Sequence, residues 1–429
     1  MDDTAINGQI ETHADGLITG SAQDSTRPGQ SIEVKLSLDQ GWTAVVSTDA
    51  DTGKFSLRAP AQAFAAGQPL LLTAQVAGTS AHLPGSGALL PPPLPLELVA
   101  GDIVNNCNLR CPFCLTDYAL TRGTKQMPDD TYAHSLQLLP IVPESAFWLS
   151  CMHEPSLNAA FGQFLKLVPA EGRRKISFTT NFAKKLPDEL LRDIAESGAH
   201  SIRISIDSHD PELFGLLRKG ARYEVFLDNL KRYSAIMRTT PGAPLLHIIT
   251  MAFTDNLAEL PELVRWCHEE VGARFHEVRY MYYLPHVAKW GADHILPLDD
   301  WEQLKRDLFA LPMGDTIAIG EPEADVHAKF RDLPGYDTYE SMPAVFGGDV
   351  TRETYRRVDP LATGFPVPDQ PLRLRLRWDG LLMAEQLPED EFRLNVHDLT
   401  DPTYFYRLRA AAPLPAESPW HHRLDNSNK

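Results

Sequence analysis

Along the first hundred residues, apolar side chains recur at every second position. In SIEVKLSL, residues Ile32, Val34, Leu36 and Leu38 fall on one face of an extended segment. Turn signals separate such segments: Arg27-Pro28-Gly29, Asp39-Gln40-Gly41 and Asp51-Thr52-Gly53, the last followed by Phe55 and Leu57 on alternate positions. A further strand, PLLLTAQVAG, follows Gly67. The spacing predicts an all-β sandwich over residues 1–83. Pro91, Pro92 and Pro93 fit neither a helix interior nor a central strand, so residues 84–96 are expected to form a stiff linker.

From residue 97 to 290 the rhythm changes. Strand-like runs (LVAGDIV, AFWLSCM, KISFTTN, SIRISID, LLHIITMAF, RFHEVRYMYY) alternate with amphipathic stretches (PDDTYAHSLQLL, AAFGQFLKLV, PDELLRDIAESG, RYEVFLDNLKRYSAIM, LAELPELVRWCHEEVG). Several of the latter begin at Pro or Asp and two stop at Gly, as helices do. Apolar strands alternating with helices predict parallel strands covered on the outside, an α/β partial (β/α)6 barrel. In such barrels chemistry gathers at the C-terminal ends of the strands. Residues 291–429 are expected to form an α+β cap. Only LRLRLRWDGLLMAE alternates cleanly there, with Leu372, Leu374, Leu376 and Trp378 on one face and a turn at Asp379-Gly380.

The net charge of −17 argues against a nucleic-acid or anionic-membrane binder. No run of eighteen apolar residues is present to span a membrane, and the first residues lack the pattern of a secretory signal. Three of the five cysteines crowd into CNLRCPFC, residues 107–114, just after the first barrel strand. That arrangement does not suit a disulfide framework; it fits a reducing cytoplasm and a metal or catalytic role. A four-ligand zinc site would need a further ligand in comparable register, and none follows nearby. Three thiolates on a short loop suit a cubane iron–sulfur cluster with one open iron.

The C-x3-C-x2-C spacing after the first strand resembles the radical S-adenosylmethionine (radical SAM) superfamily, and the likeness runs over roughly residues 97–290. It implies that Cys107, Cys111 and Cys114 hold one [4Fe–4S] cluster and that SAM chelates the open iron. The residue before the third cysteine, Phe113, matches the aromatic whose backbone touches the adenine. Glu154 and Pro155 in CMHEPSLN match the end of the family's Gly-Gly-Glu-Pro motif, which binds the methionine ammonium; Met152 and His153 replace its glycines and leave the backbone less free to adopt positive φ. Thr179-Thr180-Asn181 is similar to the family's Thr-Asn-Gly segment. On the fourth strand, Ser205 matches the ribose contact, and Asp207 shares its face. Arg218 matches the arginine that pairs with the SAM carboxylate, a task suited to guanidinium geometry.

The C-terminal hairpin resembles the SPASM extension of radical SAM maturases, but no cysteine follows Cys267, so one cluster only is expected. The N-terminal segment, from its G-x-A-x-D start through RPG to GKF, resembles a β-sandwich module of bacterial glycan-assembly proteins; a spacer or oligomerisation role is the alternative. Cys151 reads either as a hydrogen-atom donor beside SAM or as a small buried apolar residue. His286, beyond the sixth strand, reads as a substrate contact or proton relay, or as a surface histidine. Together these resemblances imply a cytoplasmic bacterial enzyme that cleaves SAM to a 5′-deoxyadenosyl radical. A flavodoxin or ferredoxin would supply the electron. The expected substrate is a sugar, nucleotide sugar or glycan-linked metabolite, with an epimerase, dehydratase, lyase or oxidoreductase outcome. A peptide substrate is the alternative, and a non-catalytic iron–sulfur protein a third reading, against which Glu154 and Arg218 stand.

Overall fold

A computed structural model describes residues 6–119, 121–332, 357–364, 367, 370–387 and 392–412. Much of the expected cap, residues 333–356 and 413–429, therefore lies outside the described residues.

The N-terminal strands form two sheets. One contains β1 (Ile6–Thr12), β2 (Leu17–Asp24) and β5 (Lys54–Arg58). The other contains β3 (Glu33–Leu38), β4 (Thr43–Ser47), β6 (Leu70–Val76) and β7 (Ala88–Leu90). Alternation sets the packing: Val34, Leu36 and Leu38 pair across to Val76, Ala74 and Leu72, and all six are buried in a core with Ile18, Ala22 and Phe55. The stretch expected to be linker is shorter than its sequence suggested. Leu70 and Leu72 pair with Leu90 and Ala88, making β7 an edge strand, and the proline run ends it because proline cannot donate to a ladder.

The six expected parallel strands follow as β8 (Leu96–Gly101), β9 (Phe147–Ser150), β10 (Ile176–Thr180), β11 (Ser201–Ser205), β12 (Leu245–Met251) and β13 (Phe275–Arg279). The sheet extends further at both edges. β14 (Ile317–Gly320), in a stretch without a clear pattern, pairs parallel to β13. At the other edge β15 (Leu372–Leu376) pairs parallel to β8 and turns into β16 (Leu381–Ala384), with β17 (Leu394–Asn395) outermost. The C-terminal hairpin is thus part of the main sheet, where its backbone closes the open edge of β8. Its turn needs Gly380 at φ +84, where an added Cβ would stand 2.8 Å from a Val396 methyl.

One face of these strands is covered by helices α1 (Asp129–Ser135), α2 (Phe161–Leu167), α3 (Asp188–Glu196), α4 (Pro211–Leu217), α5 (Tyr223–Thr239) and α6 (Leu260–Trp266). Phe178, Ile202, Ile204 and Ile248 share a core with Phe161, Phe164, Leu191, Phe226, Leu230 and Leu263. Each such side chain contributes about 1.5–3 kcal/mol on burial. The alternate strand positions face the concave side and are mostly polar: Thr179, Arg203, Ser205, His247, Glu277 and Arg279. Apolar positions therefore anchor the sheet while the alternating ones furnish its interior.

The sandwich rests on the C-terminal helix Thr403–Ala410, where Gln62 Nε2 donates to the Ala412 carbonyl at 3.0 Å. Gly67 (φ +65) lies under the Tyr406 ring, with room for no Cβ. Gly78 has similar φ (+76) but open space around it. Gly78→Ala should cost only the left-handed backbone penalty, about 1 kcal/mol. Gly67→Ala should cost at least about twice that and lower the melting temperature further; equal shifts would contradict this packing.

Candidate functional site

At the C-terminal ends of the strands, a recess is lined by Cys107, Leu109, Cys111, Cys114, Tyr118, Cys151, Met152, His153, Glu154, Thr179, Thr180, Asn181, Ser205 and Arg218. Three sulfurs of one loop share it with residues from the ends of β9, β10 and β11 and from the end of α4. Chain connectivity explains the meeting: in parallel strands every β-to-α loop emerges at the same edge.

The cysteine loop is tied down from several sides. Cys107 N–H donates to Asn106 Oδ1 (2.8 Å), and Arg110 N–H donates to the Lys219 carbonyl at the end of α4 (2.8 Å). His286 donates through Nε2 to the Cys114 carbonyl (2.8 Å), so its place is against the loop backbone. The sulfurs also receive donors. Leu109 N–H and Asn181 Nδ2 lie 3.4 and 3.3 Å from Cys107 Sγ, and Thr116 N–H lies 3.4 Å from Cys114 Sγ. The Arg218 guanidinium stands beside Cys111. Donors aimed at sulfur fit thiolate ligands of a cluster, whose potential such hydrogen bonds help set. Without metal, burial pushes the Cys107 thiol up to about 12 and that of Cys111 to about 11, so loading must displace protons. Among the described residues no three His, Cys, Asp or Glu side chains are gathered as a single metal ion would require.

Glu154 is buried, and its carboxylate is already engaged. Oε1 accepts from Thr180 Oγ1 (2.8 Å) and Ser156 N–H (3.1 Å), while Oε2 accepts from Asn181 N–H (2.7 Å). Met152 and His153 avoid the positive φ that glycines in their place would permit; Asp15, Ser145 and Phe182 are the non-glycine residues with positive φ among those described. What shapes the turn instead is Asp102, which sequence reasoning did not single out. Its buried Oδ1 accepts the N–H groups of Cys151 (3.2 Å), Met152 (3.0 Å) and His153 (3.0 Å). The available signal was an acid inside the apolar run LVAGDIV. His153 Nδ1 meets the Tyr118 hydroxyl at 2.9 Å, and burial holds its ring below the usual histidine range.

Ser205 lines the recess. Asp207, expected on the same face, stands behind it: Oδ1 accepts from Met251 N–H (2.8 Å) and Oδ2 lies 2.5 Å from Arg218 Nε. Its closest partner is thus the arginine. Phe113 is buried, with its ring against Phe253 (4.7 Å) and the Arg218 guanidinium 5.3 Å from its centroid. Cys151 is half-buried in the recess, and burial together with Asp102 pushes its thiol up to about 11, against the pull of Arg375 and Arg279. Cys267 is fully buried in the core.

The family model described as "Radical SAM superfamily" matches residues 102–267, which contain every recess residue. A probable GTP 3',8-cyclase of Methanocaldococcus jannaschii is 24% identical over 176 residues, 40% of this chain and 54% of the relative. The GTP 3',8-cyclase of Peptoclostridium acidaminophilum is 23% identical over 208 residues, 46% of this chain and 59% of that one. The chain thus spans little more than half the length of the curated relatives it matches. Among solved structures, Streptococcus suis SuiB bound to S-adenosylmethionine superposes with a TM-score of 0.44 at 15% identity, covering 73% of this chain and 64% of that one. Coproporphyrinogen III oxidase (HemN) from Escherichia coli gives 0.34 at 15% identity, covering 50% and 52%. The superfamily uses a [4Fe–4S] cluster and SAM.

Asp102 offers a test of how the recess is held. Asp102→Ala removes the acceptor of three backbone N–H groups and should weaken SAM binding roughly ten-fold or more, since buried donors left unpaired cost about 1–3 kcal/mol each. Asp102→Asn keeps an oxygen for them and should lose far less. Unchanged SAM affinity in the alanine variant, read by equilibrium binding, would show that the turn does not depend on Asp102.

Proposed function

Taking residues 102–267 as a radical SAM domain, we propose that the protein is an enzyme that cleaves SAM reductively and abstracts a hydrogen atom from a small-molecule substrate on the concave side of the sheet. The observation that supports this best is the convergence of Cys107, Cys111 and Cys114 on one recess with Glu154, Asn181, Ser205 and Arg218. When bound, the cluster and SAM supply a one-electron cleavage that yields methionine and a 5′-deoxyadenosyl radical able to take that hydrogen.

The chain's own residues divide the remaining work. In this reading Cys107, Cys111 and Cys114 would hold the cluster through their sulfurs, and Asn181 Nδ2 donates to the Cys107 sulfur. Glu154, fixed by Thr180, Ser156 and Asn181, offers its carboxylate to the methionine ammonium. Ser205 meets the ribose, and the Phe113 backbone meets the adenine. Arg218 takes the SAM carboxylate while also flanking Cys111, and Asp207 holds its guanidinium in place. Asp207 and His286 are positioning residues here. Cys151, a thiol at neutral pH, can return a hydrogen atom to a substrate radical.

A sugar or nucleotide-linked substrate is the reading we favour, with an external flavodoxin- or ferredoxin-type donor in a reducing cytoplasm. The likeness of the N-terminal sandwich to glycan-assembly modules supports it, as does the name GTP 3',8-cyclase, which makes a nucleotide the relatives' substrate. The peptide reading draws on the C-terminal hairpin, but β15 and β16 extend the sheet beside β8, which lends it no support. Among the described residues no helix is long and apolar enough to cross a membrane.

Anaerobically reconstituted, reduced protein should release 5′-deoxyadenosine from SAM, and Cys114→Ala should lower that release at least about a hundred-fold. Equal release would remove these cysteines from the reaction. Only the thiolate of Cys151 alkylates, and its raised pKa leaves about one part in a thousand ionised at pH 8. Peptide mapping after iodoacetamide treatment of the cluster-loaded protein should find Cys151 largely unmodified at pH 8, with the rate climbing toward pH 11. Modification at pH 8 as fast as that of free cysteine would contradict this environment.

A further inference from the structure

The concave face carries charge that the SAM recess does not use. Ser205 and Thr179 face the recess. Arg203 lies two residues before Ser205 and is in register with Thr179 and His247, so it looks into the same interior. Arg279 in turn pairs with Met251, and Arg375 pairs with Ala100. Cys151 connects the two regions, because it lines the recess and feels the charges of Arg375 and Arg279.

Two acids answer these arginines. Glu277 Oε1 accepts from Arg279 Nε (2.7 Å), while its Oε2 stands 3.8 Å from Arg203 Nη1 and 3.7 Å from His247 Nε2. Glu385 is divided between Arg375 (2.6 Å) and Arg373 (2.8 Å). His247 adds no charge near neutrality, since burial and the adjacent Arg203 hold its ring at about 4. Among the described residues, three interior arginines thus face two carboxylates, one of them shared with Arg373, which also pairs with Glu97 at 2.8 Å. Among these described groups guanidinium outnumbers carboxylate, in a chain whose net charge is −17.

Arg203 is the least satisfied of the group. Its guanidinium lies 4.2 Å from the centroid of Trp148, and its Nε is buried without a hydrogen-bond partner. Its one carboxylate neighbour is at ion-pair distance, too far to hydrogen-bond. A guanidinium has five donors in a planar fork. Stacked on an aromatic ring, with those donors unspent, it is preorganised for bidentate pairing with an oxyanion. Guanidinium groups on three strands, β11, β13 and β15, can engage more than one anionic group, and low-dielectric walls focus their field on an incoming anion.

We infer that Arg203, Arg279 and Arg375 form an oxyanion subsite for the phosphoryl groups of the substrate, which is therefore a phosphorylated small molecule of the nucleotide-sugar class. This rests on the radical SAM reading only in naming the occupant as the substrate; the subsite itself is tested without turnover. Calorimetric titration of the cluster-loaded full chain uses UDP-glucose and, as the uncharged counterpart, methyl glucoside. UDP-glucose should bind and methyl glucoside should not. Arg203→Gln and Arg279→Gln should each weaken UDP-glucose binding roughly ten-fold or more, as loss of a charged hydrogen-bond partner does. Arg265→Gln, on the exposed side of α6, should bind like the parent. Iron content and melting temperature identify a variant that fails to fold; Arg203→Lys, which keeps the charge but loses the fork, and Arg279→Gln then decide. If the parent does not bind UDP-glucose, binds methyl glucoside as well, or is matched by both arginine variants, the subsite is refuted. The parent's release of 5′-deoxyadenosine is measured separately. Binding without release leaves the subsite standing and removes the radical reading, whereas release without binding does the reverse.

Discussion

A single buried carboxylate organises the end of the sheet on which everything else depends. Asp102 follows β8, five residues before the first clustered cysteine, and gathers the N–H groups of Cys151, Met152 and His153 onto one oxygen. Burial pushes its carboxyl above the usual range, so these donors matter to keeping it in place. The turn it shapes delivers Glu154, whose N–H donates to the Asn106 carbonyl beside Cys107. One acid therefore links the end of β8, the cysteine loop and the turn after β9, and it does in this chain what glycine flexibility would otherwise provide.

The parallel sheet was legible because its outward positions are apolar at strand spacing and its helices carry recognisable ends: Pro187 and Asp188 open α3, and Gly272 closes the segment after α6 in left-handed geometry. The cysteine loop was legible because three soft ligands at that spacing have few other uses. Less was legible at the edges. β14 is four residues long with no alternation to betray it, and the hairpin of β15 and β16 looked detached because its partner, β8, lies some 270 residues earlier. Pattern reports a strand's faces, not its neighbours.

Within the site, sequence reasoning found residues that carry a motif and missed those whose roles depend on position in space. Asp102, Tyr118 and the arginines of the concave face belong to the second kind. Arg203, Glu277 and Arg279 read as ordinary alternating polar positions until the sheet brings them onto one surface. Asp207 and His286 were found by motif or place, yet the geometry sets them one step back, against Arg218 and the Cys114 carbonyl respectively. Neither lines the recess itself.

The proposed arginine subsite would reconcile an acidic chain with an anionic ligand: the long-range field of the chain repels anions, while a short-range group of guanidinium ions on the strands attracts them. All of this presupposes the cluster. The most direct measurement is electron paramagnetic resonance of the reduced, reconstituted protein with and without SAM, alongside iron analysis. The account predicts about four irons per chain and a reduced-cluster signal whose shape changes when SAM binds. A protein that takes up no iron, or a signal indifferent to SAM, would contradict it.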